Sequence, residues 1–297
     1  MTVQKSSGGC ALGVVAILVL IPILYIVSGQ FMGRVNNQAL TLTTPAGGSH
    51  VIDALARMIE RDVENGFCPS AYIWPGHIRF DTCGFQEGEQ QIWQRLVMQL
   101  SDHLTREGAT SDRYPDLVTA YQNISRPNSW SLLFSSNNTA SLLKKSAAHL
   151  DEYNAKLKDG KVGYFPRIDN LASLIADLTN VLGGESKQLT EQAASTGFYS
   201  LKDRYAYFHA LGTLEAACVV LQAARVDFGT VLKAQSAEAI YDQATGKVCE
   251  KLGKNPSFVL NARDMSHLLT LSGSAAGAVN DLSSLQTALA AGSRNGH

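Results

Sequence analysis

An excess of charge of either sign is missing from this chain: 25 Lys and Arg stand against 26 Asp and Glu, for a formal net charge of −1 and an isoelectric point near 6.6. Binding nucleic-acid phosphates needs a basic stripe, and none is visible, which argues against that class of partner. Lys144-Lys145 and the group Lys156, Lys158 and Lys161 are interleaved with Asp151, Glu152 and Asp159, the pattern of a solvated helix face. Runs of alternating residues are missing outside the stretch from Cys68 to Cys83, and so is any repeat of fixed period. Catalytic signatures are missing too. There is no His-Glu-x-x-His, no Gly-x-Ser-x-Gly elbow, no phosphate loop and no dinucleotide fingerprint. The seven histidines, at 50, 77, 103, 149, 209, 267 and 297, are scattered, and neither pair of cysteines has zinc-ribbon spacing. The sequence therefore names no catalytic, cofactor-binding or metal-ligating residue.

What is present first is an uncharged run from Ser6 to Met32, bounded by Lys5 and Arg34. About 20 apolar residues at 1.5 Å per residue span a hydrocarbon core of roughly 30 Å, so residues 6–33 are expected to form one transmembrane helix behind a short tail, 1–5. The run exceeds a usual signal-peptide core, and Val27-Ser28-Gly29-Gln30 is a poor cleavage site, which favours a retained anchor. Cys10 precedes the apolar core of that run, where a lipoprotein cysteine would follow it. Pro22 is expected to kink the helix. The pairs Gly9 with Gly13 and Gly29 with Gly33 have the small-xxx-small spacing of membrane-helix contacts, or are simply tolerated interfacial glycines.

Lys5 and Arg34 balance one another, so the positive-inside rule does not orient the anchor. Cysteine usage has to decide. Cys68, Cys83, Cys218 and Cys249 make an even set beyond the membrane, as suits disulfides in an oxidising compartment, although four cysteines allow three connectivities. Cys68 and Cys83 flank a Pro/Gly-containing loop, and closing its roughly 15 residues contributes on the order of 3 kcal/mol in the chain-entropy model. Reduced cysteines packed as small hydrophobes are the competing reading. Disulfides place the bulk domain in a bacterial periplasm, on a single-pass inner-membrane anchor.

Residues 34–49 read as a linker, and residues 50–292 as one all-α, mostly antiparallel helical-bundle domain, with 293–297 as a tail. Ile52, Leu55, Ile59 and Val63 mark a helix from a Ser49 N-cap to Gly66. A loop from Phe67 to Phe85 follows, carrying Tyr72, Trp74, His77 and Phe80 as a candidate interaction edge; burial of those aromatics on the helical body is the competing use. Further helices are expected around Ile92–Leu104, from Pro115, over 138–157, over 167–182 up to Gly183-Gly184, over 198–234 as the central element, over 237–252, and over 262–291. In the last of these, Gly273, Ser274, Ala276 and Gly277 make a thin face suited to close helix contact. Arg167 with Asp169, and Arg225 with Asp227, lie two residues apart and do not face each other on an ideal helix, so cross-helix partnering in a polar network is expected. Glu215 and Asp203 are expected in the same structural use.

Several segments together resemble a bacterial membrane-protein family catalogued as domain of unknown function 2333: Asn128-Ser129-Trp130-Ser131-Leu132-Leu133, Phe165-Pro166-Arg167-Ile168-Asp169-Asn170-Leu171 and Arg225-Val226-Asp227-Phe228-Gly229-Thr230-Val231-Leu232. Met265-Ser266-His267 and Asn280-Asp281-Leu282 are compatible with it. The resemblance implies an N-terminal anchor and a helical domain in Gram-negative bacteria, with no activity and no catalytic residues to carry over; the four cysteines depart from its pattern. The function expected is that of a non-enzymatic accessory or scaffold subunit of a cell-envelope membrane complex. Its partners would be other membrane or envelope proteins, the bilayer through one helix, and in some states a second copy. The alternative is a binding module for an envelope lipid, peptide or glycan that uses the loop 67–85. A third reading, an enzyme, requires a concave pocket with convergent titrating groups.

Overall fold

The computed structural model describes residues 17–21, 24, 35, 40, 44, 46–68, 80–106, 112–127, 138–194, 200–252, 256, 259–262 and 265–295, without the side chains of 80, 262, 265 and 292–295. The described residues are all-α apart from one two-residue ladder. In order they form α1 (His50–Glu64), α2 (Phe80–Gln99) continuing into a π-helical turn (Leu100–Leu104), α3 (Pro115–Ile124), α4 (Thr139–Lys158), α5 (Ile168–Ala193), α6 (Leu201–Asp227), α7 (Gly229–Ala234), α8 (Glu238–Cys249), the antiparallel strands β1 (Asn261–Ala262) and β2 (Met265–Ser266), and α9 (His267–Asn295).

Local chemistry sets several of these ends. Ser49 caps α1 by accepting from Ile52 N at 3.3 Å, Asn138 caps α4 by accepting from Ser141 N at 2.8 Å, and Ser200 caps α6 by accepting from Asp203 N at 2.9 Å. Pro115 opens α3 where its missing N–H costs nothing. Gly66, with φ of 78°, turns the chain after α1 into a conformation that a side chain would strain.

The centre of the body is α6, which packs on α1, α2, α5, α8 and α9. Its closest neighbour is α2, because glycines sit where the two backbones cross. A Cβ on Gly88 would lie 2.0 Å from the His209 carbonyl oxygen, and one on Gly212 would lie 2.0 Å from that of Phe85. Phe85, Ile92, Trp93, Leu96 and Val97 of α2 are buried beside Phe208, Leu211 and Leu214 of α6 in one core. Each such side chain contributes about 1.5–3 kcal/mol relative to exposure.

Several expectations need correction. The loop does not reach Phe85: α2 starts at Phe80, so Cys83, Gly84 and Phe85 are helical. Gly183-Gly184 does not end α5, which continues to Ala193 because Leu182, Glu185 and Leu189 are buried on either side of the pair. The long central element divides at Phe228, whose buried ring marks the step from α6 to α7. In the thin face of α9 the two glycines differ: a Cβ at Gly273 would meet nothing within 4 Å, whereas one at Gly277 would lie 3.3 Å from Lys247 Cε of α8; Ala275 and Ala278 make the buried side. The linker is more than a spacer, because Val35 and Leu40 pack against the core and Thr44 Oγ1 donates to Asp53 Oδ2 at 2.8 Å.

Among the described residues no helix is long and apolar enough to cross a membrane. The expected span 6–33 falls mainly outside the described residues, as do Gly9, Gly13, Gly29 and Gly33; within it residues 17–21 are helical, and Ile17, Leu18, Val19, Leu20, Ile21 and Leu24 are exposed.

The glycines divide into two kinds, and substitution separates them. Gly88→Ala forces α2 and α6 apart and should destabilise by about 2 kcal/mol or more, beyond a simple overpacking cost. Gly183→Ala meets open space in mid-helix and should stabilise by about 0.5–1 kcal/mol. Urea unfolding of the two variants checks both; equal effects would refute the crossing as the reason for glycine at 88.

Candidate functional site

Helix α1 places Arg61 and Asp62 against α2 and α6. Arg61 NH1 donates to Glu215 Oε1 at 2.7 Å, its NH2 donates to Glu89 Oε1, and its Nε reaches Asp62 Oδ1 at 3.4 Å. All four side chains are buried, Glu89 completely. One guanidinium therefore faces three carboxyl groups. Burial opposes its charge, yet the charges of Glu89, Asp62 and Glu215 outweigh that and raise its pKa further.

Three carboxyl groups crowded on one cation in a buried place favour keeping a proton among them. Burial, then the charge of Asp62, pushes Glu89 well above the usual carboxylate range, and burial raises Asp62 as well. Burial, then the charge of Glu89, moves Glu215 from its ordinary value near 4.5 up to about 7. Asp62 Oδ2 and Glu89 Oε2 are buried and receive no hydrogen bond from an N–H or hydroxyl donor. A proton held by Glu89 and shared with Asp62 supplies the missing donor, as in a carboxyl–carboxylate pair.

On the opposite side of α2, Glu87, Gln90, Gln91 and Gln94 recur at helical spacing along a groove of about 500 Å³. Gln90 and Gln94 are oriented by donating their Nε2 groups to the Ile124 carbonyl of α3, each at 3.2 Å. Gln91 Oε1 is buried without a partner. The facing wall carries His209 of α6 and Glu185 of α5, with Arg126 beyond α3. His209 Nδ1 lies 3.1 Å from Glu185 Oε2. Burial alone would lower the histidine's pKa, but the hydrogen bond to Glu185, its charge and that of Glu87 outweigh this and raise it. Nδ1–H thus donates to Glu185, and Nε2 is the ring nitrogen left to meet a ligand or exchange a proton.

The cysteines resolve into two pairs: Cys68 with Cys83, Cα atoms 4.9 Å apart, ties the end of the α1 turn to α2, and Cys218 with Cys249, 5.3 Å apart, ties α6 to α8. Asp227 fulfils the expected cross-helix role. From the end of α6 it accepts from His50 N at 2.9 Å and Val51 N at 3.0 Å, and from Ser49 Oγ at 2.6 Å and Tyr164 OH at 3.0 Å, so it caps α1 in trans. Burial, then the Asp227 charge, holds Tyr164 well above the ordinary phenol value. Arg225 also partners across helices, donating to Asp242 at 2.7 Å and Glu238 at 3.1 Å. Arg167 and Asp169 depart from expectation: they do face each other, Arg167 Nε lying 3.3 Å from Asp169 Oδ1, because Arg167 is the extended N-cap residue of α5 and not part of its helix. Asp203 accepts from Gln192 Nε2 at 2.6 Å.

Tyr72, Trp74 and His77 lie outside the described residues, as does the segment 128–133; Phe80 opens α2. Among the described residues, Asp116, His149 and Glu152 could bring metal-ligand atoms within 4.8 Å of one another, but Lys156 Nζ already bonds Asp116 at 2.6 Å and Glu152 at 3.0 Å.

Sequence reading missed Arg61, Asp62 and Glu89. Their signal was there: Asp62 follows Leu55 and Ile59 on the apolar stripe of α1, and Glu89 stands between Phe85 and Ile92 on that of α2, charged residues at core positions of a helical period. Comparison of the chain with protein-family models, curated proteins and solved structures returned no match.

Two measurements follow from these geometries. Arg61→Met strands three buried carboxyl groups and should cost about 3–5 kcal/mol, whereas Glu89→Gln keeps a donor in place of a protonated carboxyl and should stay within about 1 kcal/mol of the parent. Because the folded Glu215 holds its proton more tightly than the unfolded chain does, its contribution to stability is fully present below about pH 4.5 and falls as pH rises towards about 7. Urea unfolding across that range checks the variants and the slope together. For His209 the sign gives stability present below about pH 6.5 and lost as pH rises through the elevated folded value. NMR titration should find its midpoint above that of a free histidine and bring it down in Glu185→Gln.

Proposed function

We propose that this chain is a non-enzymatic helical module tethered by the segment 6–33 to a bacterial inner membrane, with its body in the periplasm, serving as an accessory or scaffold subunit of a cell-envelope complex. The observation that carries this reading is the complete pairing of the four cysteines of the helical body, Cys68 with Cys83 and Cys218 with Cys249, the pattern of an oxidising compartment. The exposed apolar side chains at 17–21 and 24 support the tether, and the resemblance of the Phe165–Leu171 and Arg225–Leu232 segments to the domain-of-unknown-function family supports the architecture. An anchored module whose polar interior is spent on joining helices suits a holding task.

A second reading, a binding module, gains from the groove beside His209 and Glu185. Its polar lining moves the weight from the loop 67–85 to the face of α2, and it fits a glycan or peptide better than a lipid chain.

The first reading is tested in native membranes. A membrane-impermeant maleimide polymer, applied from the outer side of spheroplasts, should leave the body unlabelled until a reductant is added and should then label Cys83 and Cys249, the partly exposed member of each pair, Cys68 and Cys218 being buried. Purification in mild detergent should retain stoichiometric membrane partners. Labelling without reduction, or a solitary monomer, would overturn the respective half of the proposal.

A further inference from the structure

The chain that joins the apolar run to α1 is fixed to the helical body at successive points. Val35 and Leu40 pack against the core, Thr44 Oγ1 donates to Asp53 Oδ2 at 2.8 Å, and a Cβ on Gly47 would lie 3.7 Å from Lys158 Cα. Ser49 is held through its backbone by one buried side chain of α4: its N–H donates to Asn154 Oδ1 at 2.7 Å and its carbonyl accepts from Asn154 Nδ2 at 3.1 Å. Asp227 then accepts from Ser49 Oγ, His50 N and Val51 N. No more than four residues separate one attachment from the next, so the tether is strapped to the body before it reaches α1.

This shortens the free chain severely. Arg34 alone stands between Gly33, the end of the expected span, and Val35, and two residues reach at most about 7 Å, roughly the depth of one headgroup layer. Without the attachments, the chain from Gly33 to His50 would reach about 60 Å. The attachments at Thr44, Gly47 and Ser49 gather at one end of the body, where α1 begins and α4 and α6 end. There the turn Lys158-Asp159-Gly160-Lys161 is exposed and offers ammonium groups to lipid phosphates. Val226, at 57 % the most exposed large apolar side chain of the helical body among the described residues, stands at the same end of α6, and a lipid interface would cover it.

We propose that the attachments from Val35 to Ser49 hold this end of the body against the phospholipid headgroups of the membrane that residues 6–33 cross, so that the protein lies on the bilayer in one orientation. The inference rests on the anchor of the scaffold reading and adds that a partner approaches the body along the plane of the membrane.

The test uses the full-length protein with Cys10→Ser, which leaves the two disulfides as its only cysteines, in phosphatidylcholine nanodiscs. A maleimide fluorophore is attached at Ala46→Cys or at Glu64→Cys, both exposed positions, and its quenching by lipids with a nitroxide headgroup is measured. The length of α1 sets the two probes about 21 Å apart, so quenching at Ala46 should exceed that at Glu64 by about threefold or more. Added phosphatidylglycerol should not change the ratio, because chain length and not charge sets the contact. About twenty Gly/Ser residues inserted between Arg34 and Val35 add a root-mean-square reach of about 25 Å and should bring the Ala46 signal down to that of Glu64, with the melting temperature unchanged. Equal quenching at the two positions, stronger quenching at Glu64, contact that requires the anionic lipid, or an insertion without effect would each overturn the proposal. Alkaline carbonate extraction of native membranes separates the two failures: a protein that washes off overturns the anchor and this inference together, whereas a retained protein with equal quenching overturns this inference alone.

Discussion

This fold has to accommodate a guanidinium that is largely withdrawn from water. Arg61 lies inside the junction of α1, α2 and α6, and it is tolerable there only because Glu89 and Glu215 reach it from two other helices and Asp62 from its own. Removing a charge of that kind from water costs several kcal/mol, a cost offset by close partners in fixed geometry. The registers of three helices are thereby coupled: sliding α2 or α6 by one residue would bury an unpaired carboxylate. The surplus of acid over base is relieved by protons, so the junction responds to pH although the chain as a whole is nearly neutral.

That junction and the glycine crossing depend on each other. Gly84 and Gly88 bring the α2 backbone against α6 at Tyr205 and His209, and Gly212 does the same for α6 against Phe85. Only with the backbones this close can the short reach of Glu89 and Glu215 converge on one guanidinium. The same approach sets His209 beside the polar stripe of α2, so one helix crossing positions both the buried cluster and the groove. Further out, Asp227 does for the start of α1 what a local cap cannot do alone, supplying a formal negative charge to N–H groups at a helix N-terminus.

Much of this was legible from residue patterns. The starts at Ser49, Pro115 and Asn138, the two disulfide partners nearest in sequence, and the cross-helix use of Arg225 and Asp227 all follow from local chemistry or from the geometry of a helix two residues apart. The places that were misread have a common cause. Cys83-Gly84-Phe85 and Gly183-Gly184 look like chain breaks because glycine lowers helix propensity by about 1 kcal/mol, but burial of Phe85 in one case and of Leu182, Glu185 and Leu189 in the other outweighs it. The family resemblance carried no residue of the groove, since neither Phe165–Leu171 nor Arg225–Leu232 contributes to its lining.

The sequence by itself determined that this is an all-α body, behind an apolar and uncharged segment, with no net field and an even set of cysteines, because periodicity, composition and capping act over a few residues. Only the tertiary structure decided which charges meet. Arg61 lies 28 positions from Glu89 and 154 from Glu215 along the chain, and Glu185 lies 24 from His209. No local pattern encodes such partners; they are chosen by where glycines let two helices touch.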